Sequence, residues 1–142
     1  MNKAVLLLGT ACILFCGRAG GSSSPGIEIS CDMFNRENFI TEDLTTNSGD
    51  EITIKLCSNP STGFQWSENP KIPSLDVLIQ ESHGFQIQSE KGISLPPGTP
   101  GVEIWTFHAE SPGQSRVYFE YSRDWEEGEK GIWIFNLNII VK

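Results

Sequence analysis

Asp50-Glu51-Ile52-Thr53-Ile54-Lys55-Leu56-Cys57 decides the fold. Ile52, Ile54 and Leu56 alternate with Thr53 and Lys55, and a period of two sets apolar side chains on one face of an extended chain and polar ones on the other. The same signature returns further along. Val117, Phe119 and Tyr121 alternate with Arg116, Tyr118 and Glu120, while the closing run puts Trp133, Phe135, Leu137, Ile139 and Val141 on one side. Trp105, Phe107 and Ala109 share a face between 103 and 110, and shorter runs at 27–31, 64–67, 75–80 and 85–88 read as further strands. Residues 32–48 keep no clean period and read as loop, with one more strand near 39–44. No stretch has the spacing of an amphipathic helix. Seven or eight short strands divided by turns such as Ser111-Pro112-Gly113 predict an all-β chain, an immunoglobulin-like antiparallel β-sandwich. Cys31 and Cys57 stand too close in sequence to be the inter-sheet pair of an antibody domain, so this likeness is one of architecture alone.

The chain of 142 residues is long enough for one domain with a substantial core. Lys3, the apolar run from Ala4 to Phe15, and Cys16-Gly17-Arg18-Ala19 with its small residues read as a secretory signal peptide over 1–19. The run is too short to cross a bilayer. Lipid attachment at Cys16 is the weaker alternative, because bulky Phe15 precedes it. Residues 20–26, rich in Gly and Ser, read as a flexible linker, leaving 27–142 as a single domain exported to an extracellular, periplasmic or vesicular space. Cleavage takes Lys3 and Arg18 from the 10 basic residues and nothing from the 18 acidic ones, moving the net charge from −8 to −10. That balance speaks against nucleic acid. Cys12 and Cys16 leave with the signal peptide, and the remaining pair, Cys31 and Cys57, points to one disulfide in an exported protein. The alternative is a free Cys31 thiol with Cys57 as a small strand residue.

Because the loops of a sandwich gather at its ends, three stretches between strands draw attention. In the first, Asn59-Pro60-Ser61-Thr62-Gly63-Phe64, Pro60 fixes its own φ and pushes Asn59 towards extended geometry, while Gly63 opens conformations closed to residues with a Cβ. The second runs from Lys91 to Gly101 and ends Pro96-Pro97-Gly98-Thr99-Pro100-Gly101, a long loop that its prolines hold in few conformations. Ser122-Arg123-Asp124-Trp125-Glu126-Glu127-Gly128-Glu129-Lys130-Gly131 is the third, with Arg and Trp, residue types enriched among interface anchors, placed where solvent should be.

At these residues the chain resembles the chagasin family, secreted or vesicular inhibitors of papain-like cysteine proteases. The family carries Asn-Pro-Thr-Thr-Gly before an aromatic residue, a Gly-rich second loop ahead of a strand with an aromatic, and Arg-Pro-Trp in the third. Here Ser61 replaces one threonine, Gly98 and Gly101 lead to Trp105 and Phe107, and Asp124 holds the proline position between Arg123 and Trp125. The resemblance extends from about Gly49 to Lys142. It implies a reversible, tight-binding inhibitor of cathepsin-type proteases, monomeric and without a cofactor, whose three loops form a wedge. Its protease-binding residues would be Asn59, Pro60, Ser61, Thr62, Gly63, Phe64, Pro97, Gly98, Thr99, Pro100, Gly101, Arg123, Asp124 and Trp125.

The residues permit a physical account of such a wedge. Asn59, Ser61 and Thr62 offer short hydrogen-bonding groups suited to a polar cleft around a thiolate–imidazolium pair. Phe64 and Trp66 are expected to support the loop from beneath, and Trp125 to stack beside the cleft with Arg123 bonding to it or bracing the loop. Asp124 is expected to free the third loop and to pair with Arg123, weakening or redirecting binding.

Other functions fit less well. Asp124, Glu126, Glu127 and Glu129 lack the alternating ligand pattern of a calcium loop. Cys31, Cys57, His83 and His108 lack the close pairing of zinc ligands, and neither histidine lies in a nucleophile motif that would suggest an enzyme. The serious alternative is a secreted immunoglobulin-like adhesion or binding module that does not inhibit a protease.

Overall fold

The computed structural model describes residues 24–88 and 92–142. The signal peptide expected over 1–19, the start of the linker and Lys91 lie outside the described residues. The chain runs through β1 (Gly26–Ile29), α1 (Cys31–Arg36), β2 (Phe39–Thr46), β3 (Glu51–Ser58), β4 (Gln65–Trp66), β5 (Leu78–Gln86), β6 (Gly101–Ala109), β7 (Gly113–Ser122) and β8 (Trp133–Val141). One sheet has the order β1-β3-β6-β5 and the other β2-β8-β7-β4. Their inner faces carry the period-two residues: Ile52, Ile54 and Leu56 of β3, Trp105 and Phe107 of β6, Val117 and Phe119 of β7, and Phe135 and Leu137 of β8 are all fully buried. This is the expected immunoglobulin-like sandwich.

Three local expectations give way. The antiparallel rule holds for β3–β6, β5–β6, β4–β7 and β7–β8, but β1 pairs parallel with β3, and β2 parallel with β8. Parallel neighbours need a long connection. Here β1 reaches β3 only after the chain has crossed to the other sheet as β2, and β2 meets β8 at the far end of the sequence. Next, the runs at 75–80 and 85–88 belong largely to one strand, β5, with a register shift between Gln80 and Ser82. Leu78 and Gln80 oppose Ala109 and Phe107, whereas His83 and Phe85 oppose Trp105 and Glu103, so the extra residue moves the inward positions from even to odd numbers.

A helix is also present where none was expected. Residues 31–36 form α1, started by Ser30, whose hydroxyl accepts a hydrogen bond from the Met33 amide at 3.4 Å, with Asp32 in its first turn and Arg36 in its last. Both charges complement the helix dipole. Six residues are fewer than two turns, too few to show a helical period. The helix buries Phe34 and is joined to β3 by a Cys31–Cys57 disulfide, with the Cα atoms 5.1 Å apart.

At the sandwich end where β2 passes to β3, Asp50 closes the turn. Its Oδ2 accepts from Thr46 Oγ1 at 2.7 Å and from the Asn47 amide at 2.9 Å. The Thr46 hydroxyl first, and the Asn47 amide second, lower the Asp50 pKa. A lowered folded-state pKa gives stability that is present above the unfolded value of about 3.9 and is lost as pH falls through the folded value. Asp50→Ala should therefore lower the thermal midpoint at neutral pH, and the gap from the parent should narrow as pH falls below the unfolded value of about 3.9. Thermal melts of both proteins across pH check this; a gap that stays constant refutes it.

Candidate functional site

Strand pairing alone brings the three loops to one end. Antiparallel β3 and β6 place Ser58 opposite Gly101, so loop 1 (59–64) leaves where loop 2 (92–100 as described) returns. β4 and β7 place Gln65 opposite Ser122, which sets loop 3 (123–132) beside loop 1 on its other flank. Loop 1 is the middle one.

Pro60–Thr62 forms a single 3-10 turn, and Gly63 follows in the left-handed region at φ 81°. Glycine is required there on two counts. A side chain would be strained at that φ, and a Cβ would stand 2.6 Å from Trp125 Cη2. Two backbone carbonyls are occupied within the turn. Asn59 O accepts from the Thr62 amide at 3.1 Å and from Thr62 Oγ1 at 2.7 Å, and Pro60 O accepts from the Gly63 amide at 2.9 Å. Ser61 Oγ donates to Asn59 Oδ1 at 2.6 Å. From below, the Asn59 amide donates to the hydroxyl of buried Tyr121 at 2.9 Å.

Both flanks are bonded to this centre. Asn59 Nδ2 donates to Gly98 O at 3.0 Å, and Arg123 Nη2 donates to Thr62 O at 3.3 Å. In loop 2, Thr99 Oγ1 donates to Pro96 O at 2.6 Å and Gly98 takes φ 82°. Gly101, at the start of β6, leaves room for the Phe85 ring and the Gln86 carbonyl. In loop 3, Arg123 pairs with Glu129 at 3.4 Å and lays its guanidinium 4.3 Å from the Phe64 ring centre. Lys130 Nζ donates to the carbonyls of both Arg123 and Trp125.

The expectation for Asp124 is corrected. Its carboxylate accepts from Gln65 Nε2 rather than pairing with Arg123, whose guanidinium is engaged by Glu129 and Thr62. The loop that lost a proline has gained side-chain ties to β4 and to its own far end.

The nominated residues divide by depth. Pro60, Ser61, Thr62, Pro97, Gly98, Pro100, Asp124 and Trp125 are exposed, Trp125 at 52%. Asn59, Gly63, Thr99 and Arg123 are half-buried, while Phe64 and Gly101 are buried. Phe64 stacks on Tyr121 at 5.5 Å between ring centres, and Tyr121 stacks on Trp133 at 4.8 Å. An aromatic floor thus carries loops 1 and 3. Among the described residues no cluster of three or more His, Cys, Asp or Glu is arranged to hold a metal ion, and no helix is long and apolar enough to cross a membrane.

Sequence reasoning passed over one buried acid. Glu103 is in phase with Trp105, Phe107 and Ala109 and is only 3% exposed. A carboxylate at a core position of an otherwise apolar face was the available signal, because such a group persists only when fully bonded.

The family model described as Chagasin family peptidase inhibitor matches residues 45–139. Amoebiasin-2 of Entamoeba histolytica is 24% identical over 110 residues, covering 78% of this chain and 84% of that protein. The crystal structure of the cysteine protease inhibitor EhICP2, from Entamoeba histolytica, aligns with a TM-score of 0.55 at 24% identity, over 73% of this chain and 94% of that one. Amebosin, a solution structure, aligns at 0.50 and 21% identity, over 73% and 96%. The structural likenesses concern the fold.

Proposed function

Because the chain belongs to the chagasin family of peptidase inhibitors, we propose that it is a reversible, tight-binding inhibitor of papain-like, cathepsin-type cysteine proteases that closes their catalytic cleft with loops 1, 2 and 3. The observation that carries this reading is the bonding of loop 1 to both neighbours, Asn59 to Gly98 and Thr62 to Arg123. A wedge so tied loses little conformational entropy on insertion. The wedge's own bonds oppose cleavage at three of the peptide carbonyls of loop 1. Asn59 O, Pro60 O and Thr62 O are each engaged by a donor of the protein itself, so rotating one into the attack geometry of a thiolate means breaking loop 1. Trp125, exposed over the Gly63 side of the wedge, would bury its ring against the protease beside the cleft.

Export through the secretory pathway belongs to the same proposal, supported by the leader-like run before Ala19 and by a disulfide of the kind that persists in oxidising compartments. Titrating papain with the purified domain against a fluorogenic peptide tests the reading. Reversible loss of activity near stoichiometric domain is expected. Full activity at micromolar domain would reject it in favour of an adhesion module, the reading that exposed Trp125 alone would also suit.

A further inference from the structure

Among the described residues, Glu103 is the only charged side chain that is buried, and its three bonds meet at the root of loop 1. Oε1 accepts from Ser58 Oγ at 2.6 Å and from the Trp66 amide at 3.1 Å, while Oε2 lies 2.9 Å from His83 Nε2. Ser58 is the last residue of β3 and Trp66 lies in β4, so one carboxylate holds both ends of loop 1. Glu103 itself stands two residues after Gly101, where loop 2 rejoins the sheet. His83 reaches it because the β5 bulge turns that side chain inward, where its ring stacks on Trp105 at 4.8 Å between centres and its Nδ1 faces Glu68 at 3.9 Å.

We propose that Glu103, supported by His83, is the positioning residue of loop 1. It sets the spacing between the two ends of the wedge and fixes that spacing relative to loop 2. The inference rests on loop 1 being the inhibitory wedge, and its chemistry follows from the number of donors. An ionised carboxylate accepts two hydrogen bonds on one oxygen and a third on the other, and bonds to a charged acceptor are the stronger ones. An apolar residue of similar size would leave the Ser58 hydroxyl and the Trp66 amide buried without a partner. The ends of loop 1 would then drift independently, and only a fraction of the molecules would hold the wedge in its binding geometry. A reduced competent fraction weakens apparent affinity in proportion.

The test compares the parent with Glu103→Leu and Glu103→Gln by papain inhibition kinetics, thermal midpoint and hydrogen exchange of the Gly63, Phe64 and Trp66 amides. Glu103→Leu should raise the inhibition constant about 30-fold through a slower association rate, with exchange accelerated at those amides and not in β7 or β8. Glu103→Gln keeps an acceptor for Ser58 and Trp66 and can donate to His83, so it should stay within about threefold of the parent. Mere destabilisation of a domain that is still folded would change the midpoint and leave the association rate alone. If Glu103→Leu does not fold, Ser58→Ala removes one of the three bonds, and an association rate lowered about fivefold is then expected. Unchanged association and unchanged loop exchange in whichever of the two variants folds overturn the proposal. The exchange measurement needs no protease, so failure of the parent to inhibit papain would reject the wedge reading separately.

Discussion

Thr62→Arg should raise the inhibition constant against papain by at least ~100-fold while the thermal midpoint moves by only a few degrees. Thr62 is exposed at the end of the 3-10 turn, the part of the wedge that would go deepest. An arginine there adds a long, strongly hydrated side chain to a surface that must fit a narrow cleft. It also places a second cation next to Arg123, whose Nη2 is bonded to Thr62 O. On the stability side the loss is limited. Thr62 Oγ1 donates to Asn59 O at 2.7 Å and accepts from the Phe64 amide at 3.4 Å, bonds worth about 1 kcal/mol net each. Thr62→Ser keeps that hydroxyl and should remain within a few-fold of the parent. Steady-state inhibition and thermal melts of both variants decide the matter: equal inhibition by Thr62→Arg and the parent would mean that this tip does not occupy the cleft.

How much of this was legible in the sequence depends on the range of the interactions. Loop 1 could be read because Pro60 and Gly63 act on their own backbone, and β3, β7 and β8 because their inward faces repeat every second residue. What brings the loops into one body could not be read in that way. Asn59 bonds across 39 residues to Gly98, and Arg123 across 61 to Thr62, distances that only the sheet order closes. The bulge in β5 was hidden for a different reason. Adding one residue reverses the alternation, so a single strand imitates two short ones, and His83, packed against Trp105 and Glu103, falls in the gap between them. Asp124 shows the limit of reasoning from neighbours in sequence: its partner is Gln65 across the β4–β7 pair, not Arg123 beside it.

The helix that periodicity could not reveal carries the second large expectation. Phe34→Ala should cost about 3–5 kcal/mol, at least a fifth of the whole stability of an ordinary domain. Phe34 is 1% exposed and sits between Trp66, 5.0 Å away between ring centres, and Trp133, 5.1 Å away and nearly parallel. These rings come from both sides of the loop end: Trp66 follows loop 1, and Trp133 follows loop 3. Truncating Phe34 opens a cavity that the Cys31–Cys57 disulfide keeps α1 from collapsing into freely, since the helix start is bonded to β3. Partial collapse is what would otherwise soften the cost. Phe34→Leu fills most of the space and should lose about 1–2 kcal/mol. Urea denaturation of oxidised protein reads both values from the shift in midpoint at constant slope. Inhibition by the folded fraction should change little in either variant, because Trp66 keeps its amide bond to Glu103 and its indole bond to Cys57 O at 2.9 Å. A Phe34→Ala cost below about 1 kcal/mol would mean that α1 only covers this core and does not help to hold it together.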